Sequence, residues 1–276
     1  MKDYTKNIHY IKTNISKTEG IYLKHKDVDK IDPEHPSYLD QKGIFNHSKY
    51  KYPYTPLHIG KLEIKGVESI NKNVLRMMIR KNNENEKIYI PPEFDILKDF
   101  ILDSINYHRQ HYIENKDCFI YLTVRQSTYE DIFYNEAATW HVDGFQSGRV
   151  ERHIVEQNIL WCNKMPTKFS IQPFYIENLN PMKHNVHDYF QKHAKEELSF
   201  NAKENNVYLM TPYNVHKVDK VPFEGKRVFV RINFSPVEIE DYTNTVNPSL
   251  VYEYPERIDI RNEMIEYTET EESNFS

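Results

Sequence analysis

The sequence predicts an all-β barrel or sandwich decorated by helices. Three observations predict it: one well-marked amphipathic helix after residue 90, a change of hydrophobic period to two directly after it, and seven short strand-like segments between residues 118 and 234. The aromatic share of 13%, with 21 Tyr and 14 Phe in 276 residues, supplies side chains for a packed core. It argues against disorder despite a mean hydropathy of −0.76.

Taken in order, residues 1–90 are polar and broken by Asp32-Pro33, His35-Pro36 and Pro53-Tyr54-Thr55-Pro56. They read as an extension packed on the core, with strand character at Leu62-Glu63-Ile64 and a short helix over Val74–Ile79. Residues 91–240 form the predicted main domain. Pro91-Pro92 opens its helix, on which Phe94, Leu97, Phe100, Ile101 and Ile105 recur at helical spacing. Cys118–Gln126 alternates: Ile120, Leu122 and Val124 share one face, Tyr121, Thr123 and Arg125 the other. Further strands are predicted over Ala138–Phe145, Gln157–Asn163, Lys168–Ile176, Val207–Thr211, Tyr213–Val218 and Lys226–Phe234, with a helix over Val186–Glu197 between them. Residues 241–276 read as a C-terminal extension with an acidic tail.

Composition removes several function classes. None of the seven glycines falls into G-x-G-x-x-G, a P-loop or a G-x-S-x-G elbow. A net charge of −5 disfavours duplex nucleic acid, whose affinity rests on phosphate contacts, and leaves open only a local basic groove. No apolar run reaches the roughly 20 residues a membrane span needs, and the N-terminus has no apolar leader. With only Cys118 and Cys162, a disulfide framework and a cysteine-built zinc site are both out, and a reducing, cytoplasmic location is expected.

Chemistry concentrates in His141-Val142-Asp143. On a strand, residues i and i+2 face one way, so imidazole and carboxylate form two adjacent metal ligands. His216 is the best third ligand, and two histidines with one carboxylate make the facial set of non-haem Fe(II) oxygenases. Their ligating atoms are expected about 3 Å apart, given metal–ligand distances near 2.0–2.2 Å. H-x-D is short enough to recur by chance, and does at His25-Lys26-Asp27 in a lysine-rich stretch without strand context. What distinguishes the 141–143 copy is the later strand Arg227-Val228-Phe229-Val230-Arg231. Its two arginines share a face and are costly to bury unless anions meet them. His184, His187 and His193 read as a solvated helical face.

The ordered set His141-x-Asp143, His216, Arg227 resembles the Fe(II)/2-oxoglutarate-dependent oxygenase superfamily over roughly residues 91–236. The Arg227–Arg231 spacing is similar to that of its taurine-dioxygenase-like and phytanoyl-CoA-hydroxylase-like branches. The resemblance implies a double-stranded β-helix core of jelly-roll or cupin-like type, with iron held by His141, Asp143 and His216. It implies that Arg227 holds the distal carboxylate of 2-oxoglutarate and that Arg231 touches cosubstrate or an anionic substrate. The carboxylate at position 143 favours hydroxylation over halogenation. Tyr121, Thr123 and Trp161 are candidate cosubstrate-pocket residues and Trp140 a candidate substrate contact; O2 and an unidentified primary substrate complete the partners. Residues 30–60, with Tyr50, Tyr52 and Tyr54, and the stretch 126–137 are candidate covers for the opening. Two alternatives are a cupin-like metalloprotein that does not use 2-oxoglutarate and a non-catalytic β-helix scaffold.

Overall fold

The structure, a computed structural model, describes residues 47–51, 56–82, 87–111, 118–135, 139–143, 156–176, 179, 185–239 and 243–250. In chain order its elements are β1 (Leu57–Lys61), β2 (Val74–Arg80), a 3-10 turn over Pro92–Leu97 running into α1 (Lys98–His111), β3 (Phe119–Ser127) and α2 (Tyr129–Asn135). Then come β4 (Gln157–Cys162), β5 (Thr167–Ser170), α3 (Val186–His193), β6 (Ser199–Asn201), β7 (Asn206–Met210), β8 (His216–Val218) and β9 (Arg227–Ser235). The protein is mainly β. Its strands form two antiparallel sheets, one ordered β1-β7-β4-β9-β3-β2 and one ordered β6-β5-β8.

Alternation along the central strands explains the layering. One face of the larger sheet presents Ile120, Leu122, Val124, Ile159, Val228, Val230 and Ile232, which share a buried cluster with Phe94, Leu97, Phe100, Ile101 and Ile105 of the α1 region. Each such side chain contributes roughly 1.5–3 kcal/mol by leaving water, so the helical stripe is held by packing rather than by propensity. Polar positions of β3 and β9 therefore turn to the opposite face. That second face carries the cavity described below.

The structure departs from the sequence expectations at several elements. Val74–Arg80 is a strand, not a helix: a short apolar run is ambiguous by period, and antiparallel pairing with β3 decides it. Strand β1 falls at Leu57–Lys61 rather than at Leu62–Ile64, and β1 and β2 form the two edges of the larger sheet. Within 126–137 lies α2, opened by a reciprocal cap in which Thr128 N–H donates to Asp131 Oδ2 and Asp131 N–H to Thr128 Oγ1. The expected strand from Tyr213 shortens to His216–Val218, because Thr211–Asn214 closes as a turn in which Asn214 Oδ1 accepts from Thr211 N–H. The helix expected to reach Glu197 ends at His193 and is followed by β6. Of the predicted strand over Ala138–Phe145, residues 139–143 are described, and only His141 pairs, as a single bridge. The H-x-D copy at His25, the aromatics Tyr52 and Tyr54, and the acidic tail lie outside the described residues. Among the described residues no helix is long and apolar enough to cross a membrane.

Candidate metal centre

His141 and His216 face each other as an antiparallel bridge. His141 N–H donates to His216 O at 2.9 Å and His216 N–H to His141 O at 2.8 Å. Their rings lie 4.4 Å apart between centroids. Each ring is fixed in the same way: Nδ1–H donates to the carbonyl two residues upstream, Thr139 O at 2.8 Å for His141 and Asn214 O at 2.9 Å for His216. These bonds leave both Nε2 lone pairs for a ligand, the arrangement that orients metal-binding histidines elsewhere. The turn over Thr211–Asn214 thus positions the carbonyl that sets the His216 tautomer. Helix α3 braces the other side, where Gln191 Oε1 accepts from Trp140 N–H at 2.8 Å and the His187 ring lies 5.7 Å from that of His141.

Asp143 completes the set. One ligating atom from each of His141, Asp143 and His216 lies within 4.8 Å of the others, wider than the expected 3 Å. Asp143 Oδ2 accepts from Arg231 Nη1 at 2.5 Å and sits 3.8 Å from His216 Nε2. Burial works to raise the Asp143 carboxyl, yet Arg231, His216 and His141 together hold it well below the usual carboxylate range. Burial, reinforced by His141, pushes His216 down to about 4 against the pull of Asp143. Two imidazoles with free Nε2 positions and one carboxylate are a donor set that a divalent cation of the iron type takes, so these residues fit such an ion.

The triad opens into a cavity of roughly 450 Å³ between the two sheets, in the size range of small-molecule sites. Arg227 lies in its wall, 3% exposed, with Nε–H donating to Met165 O at 3.0 Å and the guanidinium 5.3 Å from the Phe229 ring. No carboxylate of the described residues forms an ion pair with it. Arg231, four residues on, is paired with Asp143. Of the predicted pocket residues, Thr123 lines the cavity and three aromatics do not. Trp161 turns to the opposite face of the sheet, where Nε1–H donates to Leu62 O at 2.8 Å and the ring meets Phe100. Tyr121 shares the face of Thr123 but packs with Met78 and Leu250, its hydroxyl accepting from Ile239 N–H. Trp140 packs with Tyr50 and Phe190, and its ring carries Lys217 Nζ at 4.7 Å. For Trp161 and Tyr121 alternation gives the face and tertiary neighbours decide the contact; Trp140 lies outside any strand, and Tyr50 and Phe190 of α3 decide its packing.

Tyr50 ties residues 47–51 to this side of the molecule: it packs against Trp140, Val142 and Tyr213 and donates to Pro212 O at 2.6 Å. His187, read from sequence as solvated, is half-buried beside His141; burial and then His141 lower its pKa. Sequence reading also missed Arg76, Lys217 and Glu156 in the cavity wall. Burial pushes the Glu156 carboxyl up, against its hydrogen bond from Asn233 Nδ2 at 2.6 Å. Arg125 carried a signal, since it shares the Thr123 face; Arg76 carried none.

The placement of Trp161 yields a prediction. Trp161→Phe should cost about 1–3 kcal/mol, from the lost bond to Leu62 O and incomplete repacking. Urea unfolding followed by the fluorescence of Trp140, the one other tryptophan, measures it. A loss of 2-oxoglutarate binding without a loss of stability would return Trp161 to the pocket. No family model matches the chain, and no curated protein matches it either.

Proposed function

We propose that the chain is an Fe(II)- and 2-oxoglutarate-dependent dioxygenase on a double-stranded β-helix core, hydroxylating a C–H bond of a small or anionic substrate. Succinate and CO2 would be the co-products. The observation that carries the reading is the pairing, in one cavity, of the His141–Asp143–His216 cluster with a buried Arg227 that has no carboxylate partner among the described residues. A buried guanidinium is costly without an anion, and a bidentate carboxylate is its natural complement. The two facing antiparallel sheets, the smaller carrying His216, further support it.

In this reading His141 and His216 present Nε2 and Asp143 its carboxylate to the ion. Bound iron would supply the redox chemistry that couples O2 to decarboxylation of 2-oxoglutarate. Arg227 holds the distal carboxylate and so orients the cosubstrate. Arg231 holds the Asp143 carboxylate in place, and Leu160, Met210 and Phe229 give the cavity an apolar floor that limits water. Succinate release from 2-oxoglutarate, measured with Fe(II) and O2 for wild type and His141→Ala, tests the proposal. Wild type should form succinate and the variant should not. Equal inactivity would remove the main support, and iron binding without succinate would favour a cupin-like protein that does not use 2-oxoglutarate.

A further inference from the structure

The ligand-bearing segment 139–143 is held along two edges, and a strand supplies only one of them. In extended backbone the N–H and C=O of one residue point to one edge and those of the next residue to the other. His141 spends its pair on His216, so the backbone groups of Trp140 and Val142 point away from β8. No strand of the described residues pairs with that second edge. Helix α3 takes its place. Gln191 Oε1 accepts from Trp140 N–H at 2.8 Å. The His187 ring is hydrogen-bonded to the Val142 backbone in a sense that favours the protonated ring, so a ring nitrogen donates to the Val142 carbonyl.

Spacing explains how a helix can stand in for a strand. Positions 187 and 191 are four apart and share one helical face, about 6 Å apart along the axis at 1.5 Å per residue. Two residues of extended chain span roughly 6–7 Å, so the Trp140 N–H and the Val142 C=O meet that pair at a matching interval.

The helix is itself fixed independently of these two bonds. Asn185 Oδ1 caps it by accepting from His187 N–H at 3.0 Å. Val186 and Phe190, each one residue before the polar pair, are buried with Trp140, Val142 and Phe174. Beyond its last turn, Gln172 Nε2 donates to His193 O at 2.9 Å and Gln172 Oε1 accepts from Lys195 N–H at 2.8 Å. Apolar packing thus sets where α3 lies, and its two polar side chains set how the segment is turned. The consequence falls on the ligands: His141 and Asp143 flank Val142, and one bridge to β8 leaves the segment free to twist until its other edge is held.

We propose that His187 and Gln191 are positioning residues of the metal centre, clamping the Trp140–Val142 edge so that His141 and Asp143 face His216. The inference rests on reading His141, Asp143 and His216 as a metal site. Cobalt(II) is titrated into the metal-free full-length protein, reading affinity and the visible absorption bands of the bound ion. Amide hydrogen exchange at His141 and His216 is measured without metal. Gln191 is exposed, so replacing it removes the bond without opening the core. Gln191→Ala should weaken cobalt binding about tenfold and shift the bands; with His187→Ala added the loss should approach a hundredfold, the range for groups that orient a ligand. Exchange at His141 and His216 should quicken in both variants, and that at Val230 and Ile232 of β9 should not change. Gln191→Met keeps the length and loses the acceptor, so it should behave like the alanine variant; Gln191→Glu keeps an acceptor and should restore binding. Wild-type affinity and bands in the double variant, or a loss in Gln191→Glu as large as in Gln191→Met, would overturn the clamp. Gln191-dependent cobalt binding in a protein that releases no succinate would keep the clamp and overturn the oxygenase reading.

Discussion

Replacing His216 by alanine is expected to abolish metal binding and, with it, Fe(II)-dependent succinate release. Loss of groups that merely orient a ligand typically costs ten- to a hundredfold in metal affinity, so removal of a ligand itself should cost more than about a hundredfold. Cobalt(II) or iron(II) titration reads the loss directly. The fold should survive, because the bridge between positions 141 and 216 is made by backbone groups, and the ring contributes contacts to His141 and Phe169 and one bond to Asn214 O. Asp143→Ala should behave differently. It removes one of the three proposed ligands and also strands Arg231, whose side chain is only 13% exposed. Breaking a fully buried pair costs about 3–5 kcal/mol; with Asp143 27% exposed the loss should fall below that range, yet exceed that of His216→Ala. A His216→Ala protein that binds cobalt as tightly as wild type would exclude the triad as a metal centre.

The second large effect separates the two arginines of β9. Arg227→Met should weaken 2-oxoglutarate binding by about 2–5 kcal/mol, the cost of removing one member of a buried charge pair. Without ligand, the same change should leave stability unaltered or raised. Arg227 is buried against a carbonyl and a ring, and an apolar side chain of similar volume avoids the desolvation that its charge suffers there. Arg231→Met should do the reverse to stability, since it leaves Asp143 without its nearest cation. Thermal unfolding of the metal-free variants with a parallel 2-oxoglutarate titration resolves both effects. Loss of cosubstrate affinity in Arg231→Met alone would mean that the roles of the two arginines are exchanged.

Periodicity determined much of this protein by itself. The stripe Phe94, Leu97, Phe100, Ile101 and Ile105 specified a helix with one apolar face, and alternation on β3 and β9 specified which residues face the core and which do not. It also determined that Arg227 and Arg231 share a face, because period two is a property of the strand alone. Tertiary structure decided the rest. Whether 74–79 is helix or strand depended on a partner strand more than forty residues away in sequence, and the Arg76 bulge depended on the register of that pairing and on Thr245 beside it. The pairing of His141 with His216 joins segments that no local pattern links. Likewise, only the fold decided that Arg231 meets Asp143 while Arg227 meets no carboxylate of the described residues, and that Trp161 packs on Phe100 instead of lining the cavity. The physical reason is one of range. Local sequence sets backbone preference and side-chain facing over a few residues, whereas register, bulges and ion-pair partners are set by which distant strands pair, and burial of the shared core selects that pairing.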